Sequence, residues 1–162
     1  MLAYSMAWAT FGMTSGWWVA RWSEATLDHD TWLTRIRPWE QEGRIYERVR
    51  IRRWKDHLPE AGAWFGDGVS KRHLPGRTDT DLRRFAGETR RAEWVHWMNI
   101  GFAPTFGLWC SIGVTAAMVA FAAVVHLPFV VIQRYNRARL HRLLARHGRP
   151  GSRVRTVHPQ GK

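Results

Sequence analysis

Residues 94–133 run for forty positions without one Asp, Glu, Lys or Arg. At about 1.5 Å of rise per helical residue, that stretch is long enough for roughly two crossings of a ~30 Å hydrocarbon layer. The next segment is opposite in character. Residues 134–162 carry nine Lys or Arg and no acidic residue. An uncharged run that ends at a purely basic tail reads as membrane segments emerging on the cytoplasmic side. The charge of the whole chain is segregated in the same sense. Of the net +12, residues 1–20 supply nothing, and residues 21–93 carry 16 basic and 13 acidic groups. A mean hydropathy of −0.38 therefore averages two apolar ends with a polar middle, and the local pattern decides.

This patterning predicts a mainly α, small integral membrane protein. About three helices would be membrane-embedded, one of them either spanning or re-entrant, around a cytoplasmic or interfacial polar middle. The 162 residues form one domain. Its parts are a first transmembrane helix at 1–20, the interfacial segment at 21–93, the apolar hairpin or re-entrant arm plus helix at 94–133, and the basic tail at 134–162. Residues 1–19 are uncharged with Arg21 behind them, so they are expected to stay as a helix with the N-terminus outside rather than to act as a leader. The protein is then a multi-pass cell-membrane protein whose middle and tail are cytoplasmic. Trp17, Trp18, Trp22, Trp94, Trp97 and Trp109 stand at the edges of apolar runs, where indoles favour the headgroup layer.

Periodicity adds finer expectations. Residues 21–36 form an interfacial helix with Trp22, Ala25, Leu27, Trp32, Leu33 and Ile36 on one face, ended by Pro38. Residues 45–53 read equally as a strand or a helix, and the Gly-rich residues 58–75 as loop. A helix restarts at 79–93, with Thr80 or Asp81 as N-cap and Leu82, Phe85 and Thr89 on its stripe. It continues into the apolar run, which Pro104 divides into a short arm, 94–103, and a long one, 107–133. The single cysteine, Cys110, excludes a disulfide or a Cys-based metal site.

Two histidines interrupt the apolar run at matched depth. His96 lies five residues past Arg91, and His126 eight before Arg134, so both should sit about 7–12 Å in from the same face. Ionisable groups inside an apolar segment are costly and mark function. Glu93 precedes His96 by three positions, on one helix face, where a carboxylate can orient an imidazole and raise its basicity. That pair suits removal of a proton from a substrate hydroxyl at the membrane surface. A bland reading pairs Glu93 with Arg90 instead. Glu93-x-x-His96 is half of a di-metal motif whose second half is missing, so no metal is expected. Basic clusters around Arg48–Lys55, Arg83–Arg91 and Arg134–Arg142 attract anionic headgroups, or grip the phosphates of a soluble donor. Nucleic acid is not an expected partner. No Gly-rich phosphate loop and no serine nucleophile elbow is present.

Four strings in order carry a resemblance: Arg52-Arg53-Trp54-Lys55; Lys71-Arg72-His73-Leu74; Glu88 through Trp97; and Val131 through Leu140. With the apolar run between the last two, the chain resembles the glycosyl-4,4′-diaponeurosporenoate acyltransferase family of carotenoid pathways. The resemblance covers about residues 39–144, and His126 departs from the family's pattern. It implies transfer of a fatty acyl group to a sugar hydroxyl of a glycosylated carotenoid or similar glycolipid. Acyl-CoA is the co-substrate, no resident cofactor is needed, and the partners are the bilayer, the lipid-linked sugar and the donor. On that footing the expected catalytic residues are His96, Glu93, His73 and Asn136. Substrate and donor contacts are expected from Arg52, Trp54, Lys55, Arg72, Glu88, Arg91, Trp97, His126, Gln133, Arg134, Tyr135 and Arg137. A small lipid-binding subunit of a membrane complex, or a membrane reductase or methyltransferase, would be alternatives on the same frame.

Overall fold

In a computed structural model of the chain, residues 2–58 and 78–147 are described. Helix α1 spans Leu2–Ala20, α2 Glu24–Leu27, α3 Ile45–Arg48, α4 Ile51–Trp54, α5 Asp79–Phe102 and α6 Ile112–His147. Short 3-10 turns lie at Pro38–Gly43, Lys55–His57 and Ala103–Leu108. Among the described residues there is no strand. The ambiguous residues 45–53 resolve as two single helical turns, α3 and α4, with left-handed Arg50 (φ 52°) between them.

Two sequence expectations are corrected. The interfacial helix foreseen at 21–36 shrinks to the four residues of α2. Beyond it, the Thr31 and Thr34 hydroxyls bond to each other's backbone N–H groups. Such local bonds compete with the helical ladder. The α5 N-cap is Thr78, whose hydroxyl accepts from the Asp81 N–H, rather than Thr80 or Asp81. The cap lies earlier because Asp79 and Asp81 then fall in the first turn, beside the positive end of the dipole.

The rest of the apolar half follows expectation. α5 runs unbroken through Glu93 into residues 94–102, then turns at Pro104, which has no N–H to give a continuing ladder. α6 folds back along α5. It remains helical through Pro128, which leaves the Val124 carbonyl without its usual donor two residues from His126. α1 packs against α5 and also touches α6. Phe11 stacks on Phe102 with ring centroids 4.1 Å apart, Asn99 Nδ2 donates to Ser15 Oγ at 3.2 Å, and Trp8 sits among Phe102, Phe106 and Phe121.

All three predicted embedded segments are helices, but among the described residues only α6 is long and apolar enough to cross a membrane by itself. Its apolar window has a mean hydropathy of 2.2, and 17% of it is buried against the protein. Ile112, Phe121, Val124 and Leu127 face outward from it. A core helix of a soluble protein would hide that surface, so α6 points to membrane association. α1 is uncharged but diluted by Ser5, Thr10, Gly12, Thr14, Ser15 and Gly16, which accounts for its weaker signal. At its end, the Arg21 guanidinium lies 3.3 Å from the Trp17 ring centroid.

Candidate active site

At the charged end of their apolar stretches, α5 and α6 close on a cluster of buried charge. Glu93 of α5 and Glu40 of the Pro38–Gly43 turn have no exposed surface. Arg134 of α6 joins them: Nη1 donates to Glu93 Oε1 at 2.7 Å, Nη2 to Glu40 Oε1 at 2.5 Å, and Nε to Glu40 Oε2 at 3.1 Å. One helical turn on, Arg137 Nη2 donates to Glu93 Oε2 at 2.6 Å and also to the Thr34 carbonyl. Arg90 Nε reaches Asp30 at 2.7 Å, and Arg137 Nε stands 3.7 Å from the same carboxylate. Three carboxylates thus meet three guanidinia, and the formal charge cancels. Burial of that many ions demands such pairing, with hydrogen bonds to fill the remaining valences. The carbonyls of Leu33 and Arg35 take two further Arg134 N–H groups, at 3.0 and 2.6 Å. The cluster therefore ties the 30–40 segment to the α5–α6 pair.

Glu40 is held as a carboxylate. Burial alone would lift its pKa, but hydrogen bonds from Arg134, Tyr46 and the Arg37 N–H, with the Arg134 charge, overrule it and keep the group below the usual carboxylate range. Tyr46, which donates to Glu40 Oε2 at 2.5 Å, is pushed up by burial and by that same carboxylate, so it stays a donor. A group with a depressed folded pKa stabilises the protein above its unfolded value, about 4.3 for Glu. That stabilisation is lost as pH falls from there through the folded pKa. The contribution of Glu40 to the melting temperature should accordingly hold from pH 7 to about 5 and fall away below about pH 4. Glu40→Gln should melt lower than wild type at pH 7, and the gap should narrow below about pH 4.

On the apolar side of this cluster, α5 and α6 bring the two histidines together. His96 Nδ1 and His126 Nδ1 are 3.1 Å apart, and the His96 ring stacks on Phe129 with centroids 4.8 Å apart and planes 11° from parallel. Both rings are half-buried. Trp8 of α1 lies against His126, with centroids 6.3 Å apart. At 3.1 Å, one Nδ1 carries the proton and the other accepts it. Each choice of tautomer makes one ring's Nε2 a base and the other's Nε2 a donor. The matched depth inferred from sequence is thus a direct contact, made by residues thirty positions apart.

The other expected site residues separate into groups. Glu93 gives its carboxylate to Arg134, Arg137 and the Trp97 indole N–H, at 3.1 Å for the last. His96 is met by His126 instead. The bland pairing of Glu93 with Arg90 is also replaced, since Arg90 pairs with Asp30. The four cations expected to grip donor phosphates are all engaged: Arg134 and Arg137 in the buried cluster, Arg52 on Glu47 (2.6 Å) and the Tyr135 hydroxyl (3.1 Å), and Lys55 on Asp56. Arg91 pairs with Glu88 and the Trp22 carbonyl. Trp54 donates to the Val49 carbonyl at 3.0 Å and packs on the cluster of Tyr46, Ile51, Ile132 and Tyr135. Gln133 is buried one turn from Arg137. Asn136 is half-buried about 15 Å along α6 from His126, so it does not join the histidine pair. His73 and Arg72 lie outside the described residues. Glu40 and Asp30 were missed, because nothing in their local sequence marks partners that lie 94 and 60 positions away.

Known proteins give an independent line of support. The sequence model of the glycosyl-4,4′-diaponeurosporenoate acyltransferase family matches residues 29–146. A glycosyl-4,4′-diaponeurosporenoate acyltransferase of Staphylococcus haemolyticus (strain JCSC1435) is 29% identical over 146 residues, covering 86% of this chain and 81% of that protein. One of Staphylococcus aureus (strain N315) is 28% identical over 115 residues, covering 70% and 69%. No solved structure matches the chain. The matched region contains the charge cluster and both histidines.

Proposed function

The chain belongs to the glycosyl-4,4′-diaponeurosporenoate acyltransferase family, and from that premise we propose an integral membrane O-acyltransferase that moves a fatty acyl group from acyl-CoA to a sugar hydroxyl of a glycosylated carotenoid or similar glycolipid. The observation that carries this reading is the His96–His126 contact, set between an outward-facing apolar surface and a neutral, rigid cluster of buried charge. Both substrates have the same division: long apolar chains for the bilayer, and polar heads that stay at its surface.

In the proposed reaction, the His96 Nδ1–H donates to His126 Nδ1, which leaves His96 Nε2 as the base. It takes the proton of the sugar hydroxyl as that oxygen attacks the thioester carbonyl. A C–O bond forms, and the tetrahedral intermediate collapses with cleavage of the C–S bond. The thiolate leaves with the proton returned by the imidazolium. His126 fixes the tautomer of His96, and its Nε2–H is the natural donor to the developing oxyanion. Glu93 acts at one remove, by fixing α5 against α6.

The reading extends to topology. Trp22, two residues past α1, accepts a hydrogen bond from Arg91 at the polar end of the apolar arm, and Tyr4 and Trp8 lie against Phe106 in the turn at its far end. α1, residues 94–102 of α5 and the first part of α6 thus share one slab. Its polar end is cytoplasmic if the basic middle and tail are, which places the N-terminus outside.

The test is direct. The protein purified into nanodiscs receives labelled acyl-CoA and a glycosylated carotenoid. The expected product is an alkali-labile ester on the sugar, formed one-for-one with free CoA. Absence of that ester, with the chain folded and both substrates present, would refute the reading.

A further inference from the structure

Several exposed arginines make no ion pair among the described residues, and three of them gather around one groove. The Pro38–Gly43 turn meets α6 at Gly43, and beside it are two adjoining hollows of about 540 and 440 Å³. Arg35, Arg37, Arg44 and Glu42 line them from the segment above, and Arg142 and Arg146 from the last turns of α6. Arg37 is bonded to the Trp32 carbonyl, and Arg142 to the Glu42 carbonyl. Arg35, Arg44 and Arg146 are exposed and make no ion pair among the described residues. One carboxylate, Glu42, thus faces five guanidinia. In the buried cluster beside it, by contrast, positive and negative charges match one for one. Guanidinia brought together with little counter-charge repel one another weakly through water, and a bound anion would relieve that repulsion.

The groove is built rather than incidental. Gln41, Glu42 and Gly43 are all left-handed, with φ of 50°, 55° and 88°. Gly43 presses so close to α6 that a Cβ there would come within 2.8 Å of the Ala138 Cβ. Strained backbone of this kind persists only where its surroundings hold it. Here Glu40, locked by Arg134, anchors the turn and so fixes the groove's upper lip.

We propose that this groove binds a phosphate-bearing group, held by the guanidinia of Arg35, Arg44 and Arg146. Guanidinium forks match phosphate oxygens two at a time; Arg35 and Arg44 line one hollow and Arg44 and Arg146 the other, which suits a diphosphate better than a lone carboxylate. The volume lies in the range of small-molecule sites. Along α6 the groove runs from Ala138, about 18 Å from His126, to Arg146, about 30 Å away. That spacing suits a donor whose phosphates hang on a long arm from the reacting thioester. Assignment to the donor rests on the acyl-transfer reading, whereas phosphate binding does not. The same chemistry could be supplied by an anionic lipid headgroup.

The experiment uses full-length protein in phosphatidylcholine nanodiscs without any acyl acceptor, so it is independent of turnover. Binding of coenzyme A and of inorganic pyrophosphate is measured for wild type, R44Q/R146Q and R53Q/R83Q. The last pair removes equal charge from exposed positions outside the groove. R44Q/R146Q should bind both probes at least roughly tenfold more weakly, and R53Q/R83Q should match wild type. A parallel arm measures partition of the same three proteins onto phosphatidylglycerol vesicles. If only that partition falls in R44Q/R146Q, the groove still binds phosphate, and its source is the lipid. Failure of wild type to bind any of the three probes, or equal losses in the two double variants, would overturn the proposal.

Discussion

His96→Gln should lower kcat for acyl transfer by about 10²–10⁴-fold, the size of effect expected on removing a general base. The melting temperature should stay within a few degrees of wild type. Glutamine fits the half-buried space beside Phe129 and can hydrogen-bond to His126, but its amide cannot take a proton. Little stability is at stake, because His96 stands outside the buried ion pairs. His126→Gln should cost less, since its role is to hold the tautomer of His96 and to donate a hydrogen bond, which an amide can partly supply. The readout is initial rate per folded molecule in nanodiscs with acyl-CoA and glycosylated acceptor. Turnover near wild type in His96→Gln would remove His96 from the mechanism.

Glu93→Gln should act the other way round, with a large loss of stability. The carboxylate is fully buried and takes hydrogen bonds from Arg134, Arg137 and Trp97. Neutralising it leaves two guanidinia facing Glu40 and, at 3.7 Å from Arg137, Asp30. Arg137 is itself wholly buried, with Nε and Nη1 already lacking hydrogen-bond partners. Breaking one partner of such a pair costs about 3–5 kcal/mol. For a chain of this size that is a fall of roughly 10 °C or more in melting temperature. Glu93→Gln combined with Arg137→Gln should recover part of the loss, because the penalty comes from the stranded charge rather than from the missing bond. Thermal melts of the two variants in the same detergent check this, and a double variant no better than the single would contradict it.

The parts legible in sequence were those governed by local rules. The uncharged run at 94–133, its break at Pro104, and the helix leading in from residue 79 all depend on composition and on one residue's missing N–H. The matched depth of His96 and His126 was legible because helical rise converts position into depth, whereas their contact was not. The hidden parts depend on side chains meeting across the fold. Arg52, Lys55, Arg134 and Arg137 read as phosphate grips because density of charge along a chain looks the same whether the groups face solvent or one another. Only the fold shows that Glu40 and Asp30 complete the cluster, and that the unengaged arginines include Arg35, Arg44 and Arg146. Likewise, spacing put Glu93 and His96 on one face of α5, but α6 delivers two guanidinia to the first and an imidazole to the second.

The division between a catalytic histidine pair and a supporting charge cluster is tested most directly by the turnover of Glu93→Gln, measured below its melting transition and expressed per folded molecule. Retention of activity within about tenfold of wild type is the expected result, because the carboxylate would then serve the scaffold alone. A fall as deep as that of His96→Gln would contradict it and make Glu93 part of the proton-transfer machinery.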